Sequence, residues 1–190
     1  MLTDVQKKLV QKSWKLVVPI SETAADLFYK RLFDTHPEYR RFFKDDMAAQ
    51  KRKLVRMLAF VVRSLDWADS QWRDEVSPEE DLMLVVLALG RRHTELYKIP
   101  DESYAAVAEA LIWTLDYGLG EAFTEEVRAA WVSVYTILAA TMKMGCQTFD
   151  PTTSVNVRDA AMRIGEEALL EGKADAGIDE ARLGFPEEGL

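Results

Sequence analysis

Apolar side chains recur along most of this chain at intervals of three and four residues, the spacing of one face of an α-helix. In the middle of the chain, Leu54, Met57, Leu58, Val61 and Val62 follow this spacing. No segment alternates convincingly with the two-residue period of a β-strand. The pattern predicts seven helices, at residues 4–17, 21–35, 37–43, 46–66, 78–97, 101–118 and 124–145.

Glycine and proline positions support this division of the chain. The first glycine is Gly90, and the prolines at 19, 37, 78, 100 and 151 fall at the boundaries of the predicted helices. Thr3 and Gln6 have the spacing of a capping box at the start of the first helix. We therefore predict an all-α bundle in which each helix buries one apolar stripe.

Composition narrows the class of protein. The chain has 190 residues, 48% of them hydrophobic, which suits one domain with an appendage. Its 24 basic and 32 acidic residues give a net charge of −8, which argues against nucleic acid or an anionic membrane as a partner. A single cysteine excludes an internal disulfide and indicates a reducing compartment. Because a signal-peptide pattern and a membrane-length apolar run are also missing, we expect a soluble cytoplasmic protein.

The composition changes after Pro151. Residues 151–190 contain four basic and nine acidic residues, so most of the net charge lies in the last fifth of the chain. Residues 155–170 have the apolar spacing of one more helix, and glycines become frequent beyond it. We interpret residues 148–190 as an acidic extension. Either it is poorly ordered, or its helix docks on the domain or on a second copy.

Three residues on inward-facing stripes could carry chemistry. His93 shares a helix face with Leu89 and Tyr97, and it is either a core histidine bonded to a carbonyl or an axial ligand of haem iron. With two histidines and one cysteine, a four-ligand zinc site is improbable. Gln50 begins the stripe that continues through residue 61, although a solvent-exposed glutamine fits as well. Tyr29 also faces inward, where its hydroxyl needs a partner, often a carbonyl.

The order of features along the chain resembles the globin family. In particular it is similar to single-domain globins of bacteria, which are related to flavohaemoglobin haem domains and to neuroglobin. The resemblance extends over residues 1–146. It rests on Leu32-Phe33 followed by His36-Pro37, on Phe42-Phe43, on Gln50-Lys51-Arg52-Lys53-Leu54, on Gly90-Arg91-Arg92-His93, and on Gly120–Glu126 leading to Ala130-Trp131.

The resemblance implies a globin fold around a haem b pocket within residues 1–147, with His93 as the iron ligand. It places Tyr29 and Gln50 on the distal side as hydrogen-bond donors to a gas ligand. Tyr104 matches a tyrosine that supports the proximal histidine in flavohaemoglobins, but Cys146 replaces the glutamate that completes that support. The other implied contacts of the haem are Phe43, Lys53, Leu54, Leu89, Arg92 and Tyr97.

Some of these assignments have alternatives. Lys53 and Arg92 are positioned for the haem propionates, but they are equally well explained as solvated surface cations. His36 matches a histidine that has a structural role at a helix junction in several globins.

The implied function is reversible binding of oxygen, and of nitric oxide or carbon monoxide, for storage, transport or scavenging. One alternative is nitric oxide dioxygenation with an external reductase, or a weak peroxidase-like activity. Another is a haem-based gas sensor that signals through residues 148–190. A globin-like module without haem is disfavoured by the presence of both His93 and Phe43. We expect a monomer or homodimer, and we expect the extension to be dispensable for haem binding.

Overall fold

The computed structural model describes residues 2–43, 46–65, 82–95, 97–148 and 151–176. Short 3₁₀ turns follow the first, second and fifth helices, and the described residues contain no β-strand. The helices are α1 (Asp4–Val17), α2 (Ser21–Thr35), α3 (Met47–Ser64), α4 (Leu82–Glu95), α5 (Ser103–Leu119), α6 (Glu125–Thr148) and α7 (Pro151–Asp175).

Side-chain caps fix where two of these helices begin. The Thr3 hydroxyl accepts a hydrogen bond from the Gln6 backbone N–H at 3.2 Å, and the Gln6 side chain accepts one from the Thr3 N–H, which completes the expected capping box of α1. Asp46 caps α3 by accepting from the Ala49 N–H at 3.1 Å. The second cap sets the start of the helix that carries Gln50.

Two tryptophans join α1 to α6 at the centre of the core. The rings of Trp14 and Trp131 lie 6.2 Å apart, and Trp131 is only 1% exposed. The indole N–H of Trp131 donates a hydrogen bond to the hydroxyl oxygen of Ser13 at 2.9 Å. The main core, to which α2, α3 and α5 also contribute, is built around this contact.

The helix α4 packs chiefly on α6, and a glycine sets the distance between them. A Cβ atom at Gly90 would lie 1.8 Å from the backbone oxygen of Met142, so only glycine permits this approach of the two backbones. Gly90 precedes His93 by three residues. The same contact therefore fixes the position of the candidate ligand.

The last helix, α7, lies against α3 and also reaches α4 and the 3₁₀ turn after α1. Gly165 is the point of closest approach to α3, since a Cβ atom there would be 2.0 Å from the backbone oxygen of Arg56. Ala161 of α7, Phe60 of α3 and Val85 of α4 are fully buried in one small apolar cluster.

The all-α prediction is confirmed, and the predicted helices agree with the observed ones to within a few residues wherever they are described. Residue 66 of the predicted fourth helix and residues 78–81 and 96 of the predicted fifth helix lie outside the described residues. The sequence left open whether the extension is ordered. Its helix is longer than the predicted 155–170, and it docks on the rest of the chain; residues 177–190 lie outside the described part.

Candidate functional site

The candidate residues lie mainly on α3 and α4, two helices that barely contact each other in the described part of the chain. α3 packs on α2 and α7, whereas α4 packs on α6 and α7. Their shared apolar cluster of Phe60, Val85 and Ala161 involves the second half of α3 and the start of α4. The described residues of the two helices therefore meet in this cluster, which lies away from Gln50 and His93 along both helices.

His93 is held as a neutral imidazole with one ring nitrogen committed. Its Nδ1 lies 2.8 Å from the carbonyl oxygen of Leu89, one turn earlier in α4. Because a carbonyl only accepts, Nδ1 carries the proton, and Nε2 keeps the lone pair that a metal ion needs. Burial lowers the pKa of His93; the hydrogen bond to Leu89 raises it in part, and the Arg92 charge lowers it again. The ring is therefore neutral at pH 7 and oriented as a ligand.

Tyr97 and Arg92 flank this histidine. The rings of His93 and Tyr97 meet edge to face, with centroids 6.1 Å apart. Arg92 Nε donates to the Tyr97 hydroxyl at 3.0 Å, and its guanidinium carbon lies 5.4 Å from the centre of that ring. Tyr97 is 42% exposed, so it sits at the edge of the site. The sequence leaves Arg92 as either a propionate contact or a solvated cation, and the structure pairs it with Tyr97.

The side chains of Tyr29 on α2 and Gln50 on α3 are polar neighbours. The tyrosine is 4% exposed, and the Gln50 side chain is the polar group that acts on its hydroxyl. Burial raises the pKa of Tyr29 to about 12, while the hydrogen bond with Gln50 acts in the opposite direction. The hydroxyl therefore stays protonated at neutral pH. Together the pair offers an O–H and an amide N–H₂ as donors at an otherwise apolar place.

Aromatic rings surround the Tyr29 side chain. The ring of Phe43 lies 5.4 Å from Tyr29 and 5.3 Å from Phe33, both edge to face. Arg40 donates to the backbone oxygen of Phe43, and its guanidinium lies over Phe33. Leu54, one turn after Gln50 on α3, is partly buried against the same core. The sequence analysis missed Arg40. Its position three residues before Phe43 could have indicated a contact with the Phe43 backbone.

Tyr104 has a different environment from the other candidates. Its backbone oxygen accepts a hydrogen bond from the Tyr135 hydroxyl at 2.6 Å, and the ammonium group of Lys143 lies 5.2 Å from its ring. Burial raises the pKa of Tyr135, and electrostatic interaction with Tyr104 raises it further. Sequence reasoning missed Tyr135, which follows Trp131 by one helical turn on α6.

The two remaining candidates lie at the surface. Lys53 is exposed on α3, three residues after Gln50. His36 ends α2, where its Nδ1 lies 3.3 Å from the Glu38 carboxylate and its ring stacks on Tyr39 at 5.4 Å. His36 is therefore engaged in local contacts at the helix junction.

The residues present fit a haem group better than a metal ion bound by side chains alone. In the described part of the chain, no group of three or more His, Cys, Asp or Glu side chains could hold a metal ion. Haem iron needs one protein nitrogen, since the porphyrin supplies four others, and His93 Nε2 is such a nitrogen. Of the helices described, none is long and apolar enough to cross a membrane.

Comparison with known proteins agrees with this arrangement. The family model described as Globin matches residues 26–142, more than half of the chain. The chain belongs to the globin family. The matched segment contains every candidate residue, whereas α1 and α7 lie outside it. The all-helical architecture of this globin is that of the family, and family membership indicates haem-based gas binding.

Neuroglobins and a flavohemoprotein are among its curated relatives. A neuroglobin of Chaenocephalus aceratus is 28% identical over 151 residues, which are 76% of this chain and 92% of that protein. A neuroglobin of Tetraodon nigroviridis is 27% identical over the same shares. A flavohemoprotein of Rhizobium meliloti (strain 1021) is 30% identical over 139 residues, 73% of this chain but 32% of that protein. The globin thus spans about a third of the flavohemoprotein.

Proposed function

We propose that this globin binds haem b through His93 and reversibly holds oxygen beside Tyr29 and Gln50. The observation that carries the proposal is the hydrogen bond from His93 Nδ1 to the Leu89 carbonyl, which leaves Nε2 as a ligand nitrogen on the inward face of α4. Haem supplies a ferrous iron that binds diatomic gases. Carbon monoxide and nitric oxide are the other gas ligands of this chemistry.

The distal pair would select among gases by charge. Bound oxygen carries more negative charge than bound carbon monoxide, so hydrogen-bond donors favour it. The Tyr29 hydroxyl and the Gln50 amide are polar neighbours, and each could donate a hydrogen bond to a gas ligand held at this site. Two donors slow oxygen release, which suits storage or scavenging better than bulk transport. Every side chain that this proposal requires for gas binding lies on one chain. We also propose that this globin is cytoplasmic.

Phe43, Leu54 and Leu89 would provide the apolar walls of the haem site. Phe43 packs against Tyr29, Leu54 follows Gln50 by one turn, and Leu89 holds the imidazole. Lys53 is exposed and suited to a propionate at the edge of the site, whereas Arg92 would reach one only from its contact with Tyr97. These apolar residues would limit the access of water to a haem bound there.

The test is the absorption spectrum of the purified protein in ferric, ferrous, carbon monoxide and oxygen forms. We expect the Soret band of a histidine-ligated haem that gains and loses oxygen reversibly. His93→Gly should lose haem or its axial ligand, and added imidazole should restore the spectrum. His36→Ala is the matched control, because it removes the other histidine without touching the site. An unchanged ferrous spectrum in His93→Gly would refute the proposal.

We propose nitric oxide dioxygenation as a second candidate function, supported by the similarity to a flavohemoprotein. In this reaction oxygen, nitric oxide and one electron give nitrate, so an external reductase must supply the electron. The peroxidase-like alternative has less support, because Cys146 replaces the supporting glutamate and the Lys143 cation lies over Tyr104. Nitrate formation with a supplied reductase would establish the dioxygenase, and its absence would leave gas binding alone.

A further inference from the structure

The helix α7 contacts both helices that carry the proposed haem site. It lies against α3, which carries Gln50 and Leu54, and it also reaches α4, which carries His93. The family model ends at residue 142, before α7 begins. The contacts of α7 are therefore additions of this chain to the matched globin segment.

The backbones of α7 and α3 are in direct contact at one position. A Cβ atom at Gly165 would lie 2.0 Å from the backbone oxygen of Arg56, so the two helix backbones touch there. Arg56 is two residues after Leu54 and six after Gln50 on one continuous helix. If the part of α3 that carries Gln50 and Leu54 shifts, it must therefore either move α7 with it or open the contact at Gly165.

Apolar burial by α7 joins α3 to α4 as well. Ala161 of α7 is fully buried with Phe60 of α3 and Val85 of α4. One turn after Gly165, Leu169 is 8% exposed and belongs to the main core. Removal of α7 would expose these side chains, which include the large ring of Phe60, so the outer side of α3 needs a cover.

Ion pairs at the rim hold α7 with modest strength. Arg56 pairs with Glu166, and Arg63 pairs with Glu171 at 3.2 Å, so an acidic side of α7 faces a basic side of α3. These side chains are between 34% and 68% exposed. Exposed pairs are individually weak and are screened by salt. The helix is thus attached firmly enough to dock but loosely enough to be displaced.

We propose that α7 is a regulatory helix whose docking is coupled to the gas ligand through the position of α3. With α7 docked, α3 holds Gln50 against Tyr29. With α7 displaced, α3 moves more freely, and the gas ligand leaves faster. By thermodynamic linkage, the ligand must change the docking of α7 by the factor by which docking changes ligand affinity. This inference rests on the proposed haem site.

Gly165→Ala is the variant that tests the coupling, and Gly172→Ala is its matched control. Alanine is the better helix former, so neither change disrupts α7 by itself. At 165 the new methyl meets the backbone of α3, whereas at 172 it would lie 3.2 Å from a side-chain atom of Val18, so only a side chain has to give way there, by a few tenths of an ångström. The two variants therefore differ in whether α7 can stay docked on α3.

Both variants are examined as full-length protein by hydrogen exchange and by oxygen equilibrium. We expect Gly165→Ala to lose amide protection in α7 and in α3, and to weaken oxygen binding by about fivefold or more. Gly172→Ala should resemble the unmodified protein. The reciprocal test compares α7 protection in the ferrous protein with and without carbon monoxide, and we expect more protection with the ligand.

Several results would overturn the coupling. Unchanged oxygen binding in a Gly165→Ala protein whose α7 has lost protection would make α7 a passive appendage. Retained protection in that variant would mean that α7 does not dock on α3 through Gly165, and equal effects of both variants would remove the role of this contact. A protein that binds no haem would instead refute the haem site, and exchange in the haem-free protein would still report the docking.

Discussion

Gln50 is the polar neighbour of the Tyr29 hydroxyl, a group that otherwise lies among the rings of Phe28, Phe33 and Phe43. The pair joins α2 to α3 at the point where the distal side of the site is proposed. A buried hydroxyl without a partner is costly, so each residue supports the placement of the other.

Loss of this pair should change oxygen release more than carbon monoxide release. Tyr29→Phe removes the O–H donor, and we expect oxygen dissociation to accelerate about tenfold or more, as the loss of ~1.4 kcal/mol implies. Gln50→Leu should act in the same direction. Ligand-replacement kinetics in a stopped-flow instrument provide the measurement. Tyr39→Phe is the control, since Tyr39 is a buried tyrosine at the His36 junction. Equal acceleration for both gases would indicate steric gating instead.

Alkaline titration of the Tyr29→Phe variant should reveal the late ionisation of Tyr29. An unfolded tyrosine has a pKa of about 10, whereas burial raises the pKa of Tyr29 to about 12 in the folded protein. A raised folded pKa favours the folded state below pH 10, and this contribution is lost as the pH rises from 10 through 12. We therefore expect Tyr29→Phe to flatten the decline of unfolding free energy over that interval.

The measurement is denaturant unfolding across the alkaline range, together with the ultraviolet absorbance of tyrosinate. A decline as steep in Tyr29→Phe as in the unmodified protein would contradict the burial of this hydroxyl.

Loss of the hydrogen bond between Trp131 and Ser13 should lower the free energy of unfolding more than loss of an exposed hydroxyl does. Ser13→Ala leaves the indole N–H of Trp131 buried without its acceptor, so we expect a loss of about 1–3 kcal/mol of unfolding free energy. Thr136→Ala is the control. Thr136 lies on α6, as Trp131 does, and its exposed hydroxyl donates a hydrogen bond to the Val132 carbonyl. Chemical denaturation of both variants measures the two losses of unfolding free energy. Equal losses would contradict a special role of the bond between Trp131 and Ser13.

Enlargement of Gly90 should displace the proposed iron ligand. In Gly90→Ala the new Cβ would meet the Met142 backbone, so α4 must move away from α6 and carry His93 with it. We expect a loss of about 1–3 kcal/mol of stability, with faster transfer of haem to an acceptor protein. Gly172→Ala again serves as the control. Wild-type haem retention in Gly90→Ala would show that His93 does not depend on the contact between α4 and α6.

Helix periodicity was sufficient to predict most of the fold. The stripe through Leu54 and Val61 and the capping box at Thr3 are local signals, and the structure has helices at both places. Gly90 was visible as the first glycine of the chain, but its contact with Met142 joins two helices about fifty residues apart in sequence. No local pattern reports such a pairing.

The site was predictable in its residues but not in all its contacts. His93 and Gln50 were selected because they interrupt apolar stripes, and the resemblance supplied their proposed roles. The contact of Arg92 with Tyr97 and that of Tyr135 with Tyr104 depend on how helix ends and neighbouring helices meet. The docking of α7 was undecided for the same reason, since its small apolar face is covered only when α3 and α4 are both in place.

The position of α7 at the end of the helical order affects how the protein assembles during synthesis. A ribosome produces α3 and α4 before α7, so the nascent chain first presents Phe60 and Val85 without their Ala161 cover. Domains generally fold as the chain emerges, with the N-terminal parts first. The two helices of the proposed haem site are therefore least restrained while α7 is still being made. If haem binds there as proposed, haem that arrives in that interval would meet less restrained helices than haem offered to the finished chain.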